Sequence, residues 1–172
     1  MRDNSDIYLS VVIPAYNEEL RLPSTLDSIF AYLETKDYSY EVIIIDDGSK
    51  DGTSQLVKGH SCFGEKLKLI TFLKNYGKGA AVKAGIEKAS GTFVIFNDAD
   101  GASPIEEIEK LQEAIASGFD IAIGSRALKK SQVKDHWYRR FFIIAFNTLI
   151  KLFVIDDFGD TQCGFKLFKN EC

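Results

Sequence analysis

The chain has 172 residues, of which 45% are hydrophobic and 27% are charged, and its formal net charge is −4. These values are typical of one globular domain with a sizeable core, so they exclude extensive disorder and argue against a dedicated nucleic-acid-binding protein. The three cysteines, Cys62, Cys163 and Cys172, match neither a disulfide framework nor a spaced zinc site, which indicates a reducing compartment.

Strand and helix signals alternate along the chain. Apolar runs predict five buried strands, at residues 8–15, 40–47, 67–73, 91–97 and 119–125. Amphipathic segments between them predict helices, and the fourth helix opens on Ser103 as N-cap, Pro104 as first helical residue and Glu106 as capping-box glutamate. Apolar strands between amphipathic helices indicate an α/β fold, with a mostly parallel sheet and helices on both faces.

Polar clusters with the sequences AYNEE, DDGS and DADG follow three of these strands. Because such sheets bind ligands beyond the carboxyl ends of their strands, we expect the clusters to converge on one edge. The third cluster holds Asp98 and Asp100, whose oxygen ligands suit Mg²⁺ or Mn²⁺, and a bound cation would remove their mutual repulsion. The alternative is a solvated turn in which Asp98 caps local amides.

Two other kinds of nucleotide site are disfavoured by the sequence. A dinucleotide site requires G-x-G-x-x-G after the first strand, where this chain reads PAYNEE. The nearest match, Gly77 and Gly79 after the third strand, has Val82 at the third glycine position, and the sequence contains no P-loop motif.

Six motifs occur in the order VVIPAYNEE, IIIDDGSKDGT, NYGKGAAVKAG, FNDADGAS, IGSR and DTQCGFKLF. Together they resemble the family-2 glycosyltransferases of the GT-A fold over residues 8–169, nearly the whole chain. The last two motifs and their spacing are most similar to the polyprenyl-phosphate glycosyltransferases, and among these to the branch that makes dolichyl-phosphate glucose. The resemblance implies a Rossmann-like sheet and a single GT-A domain over 1–172. Since such domains usually continue with further helices, a truncated C-terminus is one interpretation of the chain.

The resemblance also implies a nucleotide-sugar donor. Asp98 and Asp100 would hold Mg²⁺ or Mn²⁺, Arg126 would face the donor diphosphate, and these three would be the catalytic residues. Asp47 would bond the base. The implied donor-binding set comprises Pro14, Ala15, Tyr16, Glu18, Ile45, Asp47, Lys78, Asp98, Ala99, Asp100 and Arg126. Simpler alternatives stay open, namely a packed aromatic for Tyr16, a turn cap for Asp46 or Asp47, and a solvated helix-start lysine for Lys78.

The base and sugar of the donor are suggested by the residue two positions after the acidic pair. Relatives that transfer mannose to the same lipid carry a glutamine two residues after the second aspartate, whereas this chain has Ala102. A side-chain metal ligand is therefore missing relative to them, and water would replace it. The sequence DADGA resembles the glucose branch, which uses a uridine donor, so UDP-glucose is the expected donor and GDP-mannose the alternative.

The expected acceptor region is residues 126–155. Residues 126–140 hold six Lys or Arg and one Asp, a local charge of +5 in an acidic chain, and an apolar run follows at 141–155. A basic stretch that leads into an apolar helix matches a membrane-surface element, and it equally matches a core helix with a solvated edge. By resemblance, Arg139 would hold the phosphate of a polyprenyl lipid.

The function implied by the resemblance is inverting transfer of a hexose, expected to be glucose, to a polyprenyl or dolichyl phosphate. That phosphate is anionic near neutral pH, so a strong general base is unnecessary, whereas a sugar hydroxyl would need a base carboxylate that the sequence does not identify. The expected location is cytoplasmic, peripheral at the cytoplasmic face of a membrane. The alternatives are a nucleotide-sugar-binding module without turnover and a family-2 transferase acting on a saccharide hydroxyl.

Overall fold

A computed structural model describes residues 7–124 and 164–170. Its strands are β1 (Leu9–Ala15), β2 (Tyr40–Asp46), β3 (Leu67–Thr71), β4 (Phe93–Asn97), β5 (Ile121–Ile123) and β6 (Phe165–Lys169). Its helices are α1 (Leu22–Leu33), α2 (Thr53–Lys58), α3 (Lys78–Lys88) and α4 (Ile108–Ala116), and a 3₁₀ turn at Ile105–Glu107 precedes α4. The predicted alternation of strands and helices is therefore confirmed.

The strands form one sheet in the order β3-β2-β1-β4-β6-β5. β1 pairs in parallel with both β2 and β4, and β2 pairs in parallel with β3, which confirms the mostly parallel sheet. β6 runs antiparallel to β4 and was not predicted as a strand. Its sequence FKLFK alternates between buried Phe165 and Leu167 and less buried neighbours, the pattern of a strand with one better-covered face.

Helices cover both faces of this sheet. Every residue of β2 is buried, and successive side chains of a strand point to opposite faces, so neither face is open to solvent there. On one face, α3 packs through Ala81 onto a cluster formed by Val12, Ile43, Ile45 and Val94. A Cβ atom on Gly85 of this helix would lie 2.3 Å from a methyl carbon of Val12. Glycine at this position thus lets α3 approach the sheet closely.

The start of the fourth helix differs from the sequence prediction. The predicted capping box is wrong, because Pro104 and not Ser103 occupies the cap position of the 3₁₀ turn, and that turn has no side-chain cap hydrogen bond. Pro104 has a ψ angle of 137°, an extended backbone that delays the helix to Ile105 and then α4 to Ile108. The fifth strand is also shorter than predicted, because it begins only at Ile121.

A buried carboxylate stabilises the edge of the sheet at the amino ends of the strands. Glu41 is 1% exposed. Its oxygens accept hydrogen bonds from Ser10 Oγ at 2.6 Å, from the Ser90 amide at 2.7 Å and from Lys68 Nζ at 2.5 Å. Burial opposes the charged form, but these hydrogen bonds outweigh it and hold the pKa of Glu41 below its ordinary value of 4.5.

Replacing this carboxylate should reduce stability in a pH-dependent way. Because its pKa is lowered in the folded chain, Glu41 stabilises the fold above its unfolded pKa, and the contribution is lost as pH falls through the folded pKa. We expect Glu41→Gln to lower the free energy of unfolding by about 1–3 kcal/mol at pH 7 and by less at pH 3, as measured by urea denaturation. Glu113→Gln on the exposed side of α4 is the matched control. An equal loss at both pH values would contradict the assignment.

Candidate nucleotide-binding site

The loops that follow β1, β2, β3 and β4 line one cavity of about 360 Å³. Its walls combine nine residues predicted for the donor site, namely Pro14, Ala15, Tyr16, Glu18, Asp47, Lys78, Asp98, Ala99 and Asp100. The register explains why they meet, because Ala15 lies beside Asp46 where β1 and β2 end, and Phe96 near the end of β4 lies beside Val12 of β1. Convergence at the carboxyl edge is thus as predicted, while binding of a donor by these residues stays a prediction.

Three predicted site residues lie elsewhere or outside the described part of the chain. Ile45 is fully buried in the core cluster beneath α3 and does not line the cavity. That Ile45 lies near a bound donor stays a prediction, and its buried position does not support it. Arg126 and Arg139 lie outside the described residues, as does the whole of 126–155.

Asp98 and Asp100 have different surroundings. Asp98 Oδ1 lies 2.6 Å from Lys78 Nζ, and the side chain of Asp98 is 18% exposed. Asp100 is exposed, and its Oδ1 accepts a hydrogen bond from the Ala102 amide at 3.0 Å. Turn capping, which was the alternative for Asp98, is therefore seen at Asp100. Asp98 instead forms an ion pair with the ammonium of Lys78. The ion pair shows that Lys78 reaches the acidic pair across the cavity.

Glu18 is held by a neighbouring arginine at the rim of the cavity. Arg21 donates through Nε to Glu18 Oε2 at 2.7 Å and through Nη2 to Glu18 Oε1 at 2.5 Å, a two-bond pair. The hydrogen bond and charge of Glu18, and more weakly the charge of Asp100, raise the pKa of Arg21 above its ordinary value. The amide of Glu18 donates to Thr53 Oγ1 at 2.9 Å, which ties this rim to α2.

The two consecutive aspartates after β2 act on different neighbours. Asp46 caps the next turn, as the simpler alternative proposed, since it accepts from the Ser49 amide at 2.8 Å and from the Ser54 hydroxyl. Asp47 instead accepts from the amides of Tyr76 at 2.7 Å and Gly77 at 2.8 Å. These two bonds tie the end of β2 to the loop that opens α3. They therefore set the position from which Lys78, the first residue of α3, reaches into the cavity.

Sequence reasoning missed Asn75, Gly77 and Ala81, which also line the cavity. All three belong to the segment NYGKGAAVKAG, from which only Lys78 was selected. The position of this segment after β3, at the same edge of the sheet, could have identified these residues from the sequence. Gly48 makes the approach of this loop possible, because it has a φ of +72° and a Cβ atom there would lie 2.5 Å from the backbone carbon of Lys74.

The residues of the cavity fit a divalent cation that is shared with a ligand. Carboxylate oxygens of Asp98 and Asp100 are the hard donors that Mg²⁺ and Mn²⁺ prefer. Within residues 7–124 and 164–170, no group of three or more His, Cys, Asp or Glu side chains could hold a metal ion. Two carboxylates leave most of an octahedral shell to other oxygens, which a diphosphate can supply. The arrangement can therefore bind a phosphate-bearing ligand together with its cation.

The family model for glycosyl transferase family 2 matches residues 10–171. A dolichyl-phosphate beta-glucosyltransferase from Drosophila melanogaster is 40% identical over 98% of this chain and 56% of its own length. The enzyme of the same name from Homo sapiens is 39% identical over 98% of this chain and 57% of its own length. The chain thus spans about half the length of the curated relatives that it matches.

Solved structures of glycosyltransferases share the fold. A mannosyltransferase from Pyrobaculum calidifontis, solved with GDP-mannose and Mn²⁺, matches 95% of this chain and 44% of its own, with 24% identity and a TM-score of 0.64. A glucosyl-3-phosphoglycerate synthase from Mycobacterium tuberculosis, solved with Mn²⁺, UDP-glucose and phosphoglyceric acid, matches 96% of this chain and 57% of its own, with 21% identity and a TM-score of 0.67. The predicted GT-A architecture is therefore confirmed.

Removing the carboxylate of Asp47 should loosen the loop that opens α3. In Asp47→Ala the amides of Tyr76 and Gly77 lose their acceptor, which is 3% exposed in the unaltered chain. We expect the free energy of unfolding to fall by about 1–3 kcal/mol and hydrogen exchange to accelerate at these two amides. Asp27→Ala on the exposed side of α1 is the control. Unchanged exchange at both amides would show that Asp47 does not hold the loop.

Proposed function

The chain belongs to glycosyl transferase family 2, and from this membership we propose that it carries the donor site of a glucosyltransferase. The proposed reaction moves glucose from UDP-glucose to dolichyl phosphate or a related polyprenyl phosphate. The observation that carries the proposal is the cavity in which Lys78, Asp98 and Asp100 meet at the carboxyl edge of the sheet. The relatives named dolichyl-phosphate beta-glucosyltransferase supply the sugar and the acceptor class.

The donor would lie along the cavity, with its base towards Asp47 and its diphosphate towards Lys78 and Asp98. The volume, about 360 Å³, falls within the range of small-molecule sites. Tyr16, which is 42% exposed at the rim, offers an aromatic face to the nucleotide. The ammonium of Lys78, which lies at the cavity wall, would attract phosphate oxygens of the donor.

Asp98 and Asp100 would hold Mg²⁺ or Mn²⁺ together with the donor diphosphate. When bound, the cation supplies Lewis-acid stabilisation of the charge that develops on the leaving diphosphate. Mn²⁺ in the two solved structures of the fold supports this proposal. The exposed position of Asp100 leaves its second oxygen accessible to a ligand.

The chemistry that we propose for the transfer is a single displacement. A phosphate oxygen of the acceptor attacks the anomeric carbon of the sugar, the bond from that carbon to the β-phosphate oxygen of UDP breaks, and the configuration inverts. The acceptor is already an anion, so no proton has to be removed from it. The residues of the cavity orient the donor and hold its diphosphate, and Arg126 would add a positive charge there.

The acceptor would be held by the region 126–155. We propose that Arg139 binds the lipid phosphate and that the basic residues before it attract anionic headgroups, each contributing about 1 kcal/mol near such a surface. We therefore propose that the protein is peripheral at the cytoplasmic face of a membrane. Within residues 7–124 and 164–170, no helix has the length and apolar character needed to cross a bilayer.

A second candidate is a donor-binding module that does not complete the transfer. It is supported by the same cavity, whose residues fit a donor and its cation, and it needs no acceptor site. The two candidates share the donor site and differ in turnover. An assay for glucose transfer to a polyprenyl phosphate therefore separates them.

Donor binding should depend on the second aspartate and on the base. We expect calorimetry to show tighter binding of UDP with Mn²⁺ than without it, and Asp100→Asn to remove this difference, because a carboxamide is a poorer cation ligand than a carboxylate. A metal-dependent gain in affinity that persists in Asp100→Asn would place the cation elsewhere.

The choice of donor should be visible in thermal unfolding. With Mn²⁺ present, UDP-glucose should stabilise the chain more than GDP-mannose does. Stronger stabilisation by GDP-mannose would reverse the assignment of the donor.

Transfer to lipid should depend on Arg139 while donor binding should not. We expect Arg139→Ala to lower glucose transfer to a polyprenyl phosphate in liposomes about tenfold or more, because a hydrogen bond to a charged group contributes about 1.5–3 kcal/mol. The affinity for UDP with Mn²⁺ should stay within about twofold, because donor and acceptor phosphates would occupy separate subsites. Lys88→Ala, at the exposed end of α3, is the charge-matched control. An equal loss of UDP affinity would move Arg139 to the donor site.

A further inference from the structure

Gly164 lies directly against one carboxylate of the acidic pair. In the antiparallel ladder between β4 and β6, Asn97 pairs with Phe165. One further step in the same register sets Asp98 opposite Gly164. The glycine is buried where the chain enters β6, so a residue from the end of the sequence forms part of the wall behind Asp98.

The contact leaves no room for a side chain at this position. A Cβ atom on Gly164 would lie 1.9 Å from Asp98 Oδ2, 2.3 Å from Cγ and 2.5 Å from Oδ1. The three nearest atoms all belong to one carboxylate, so the whole group would have to move to relieve the overlap. The φ angle of Gly164 lies outside the left-handed region, so the limit is one of space and not of backbone conformation.

The same carboxylate also forms an ion pair with Lys78. Lys78 Nζ contacts Asp98 Oδ1 at 2.6 Å, and its ammonium lies 5.2 Å from the centre of the Phe96 ring. The carboxylate of Asp98 is thus in contact with both a buried glycine and a lysine. A methyl group on Gly164 would displace the carboxylate from this position and weaken its contact with Lys78.

We propose that Gly164 is a positioning residue for the donor site. By lacking a side chain, it leaves the carboxylate of Asp98 in the orientation from which that group, with Asp100, binds the cation and diphosphate of the donor. This inference rests on the proposed function. It gives a physical reason for glycine at this point of the DTQCGFKLF segment, far in sequence from the acidic pair.

The first test measures nucleotide binding in Gly164→Ala. We expect the affinity for UDP with Mn²⁺ to fall about 10–100-fold, the usual effect of disturbing a group that orients a metal ligand, and the affinity for UDP alone to fall less. Gly59→Ala is the matched control, because a Cβ atom there would meet only carbonyl oxygens, of Gln55 at 3.5 Å and of Leu56 at 3.6 Å, which are ordinary contacts. Its affinity for UDP with Mn²⁺ should equal that of the unaltered chain.

The second test asks whether the clash is with Asp98. Asp98→Ala removes the carboxylate and creates the missing space, so Gly164→Ala should lower the unfolding temperature of the unaltered chain but not of the Asp98→Ala chain. Asp98→Asn keeps the size of the side chain and should not relieve the effect. If Gly164→Ala fails to fold by itself, the double variant with Asp98→Ala should fold. A loss of stability that persists with Asp98→Ala would overturn the proposal.

The outcomes separate this inference from the function on which it rests. Failure of the unaltered chain to bind UDP, with or without Mn²⁺, would overturn the proposed function and the positioning role with it. Unchanged affinity for UDP with Mn²⁺ in a folded Gly164→Ala chain would overturn the positioning role alone. Loss of affinity in that chain, together with relief of the stability effect by Asp98→Ala, would support both.

Discussion

Parallel pairing of β1 with β2 on one side and β4 on the other is the constraint on which the site depends. Because the three strands run in the same direction, their carboxyl ends lie at one edge of the sheet; Ala15 pairs with Asp46 there, and Phe96 near the end of β4 pairs with Val12. The chain leaves this edge by the loops that follow these strands and β3, and the cavity is the space between those loops. Residues separated by more than eighty positions in sequence become neighbours through strand order alone.

The polar groups around this space are held by partners within the protein. Glu18 is paired with Arg21, Asp98 with Lys78, and Asp47 with two backbone amides. Exposed ion pairs contribute only about 0–1 kcal/mol to stability, so the first two matter for where their oxygen atoms lie more than for the fold. Asp47 differs because its side chain is buried and accepts hydrogen bonds from two backbone amides of the loop that opens α3. Its carboxylate therefore organises the site through the main chain of a neighbouring loop.

Periodicity and strand-end chemistry predicted most of the fold and most of the cavity. Apolar runs identified five strands, and the motif containing Asp98 and Asp100 identified the carboxyl edge of the sheet as the expected ligand-binding edge. β6 escaped prediction because a five-residue run of alternating apolarity is a weak signal and its antiparallel pairing with β4 is a long-range contact. The capping box failed because the extended backbone at Pro104 overrode a local rule. The roles of Asn75, Gly77 and Gly164 depend on backbone proximity, which leaves no side-chain pattern in the sequence.

A cation shared with a nucleoside diphosphate is proposed to bind at this edge of the sheet. Paramagnetic broadening of amide signals by Mn²⁺ in the presence of UDP tests it most directly, because the broadening falls steeply with distance from the ion. We expect strong broadening at residues 98–102 and 75–78, and little at Glu41 and Ser90 on the opposite edge. Broadening centred on any other part of the chain, or unchanged by addition of UDP, would contradict it.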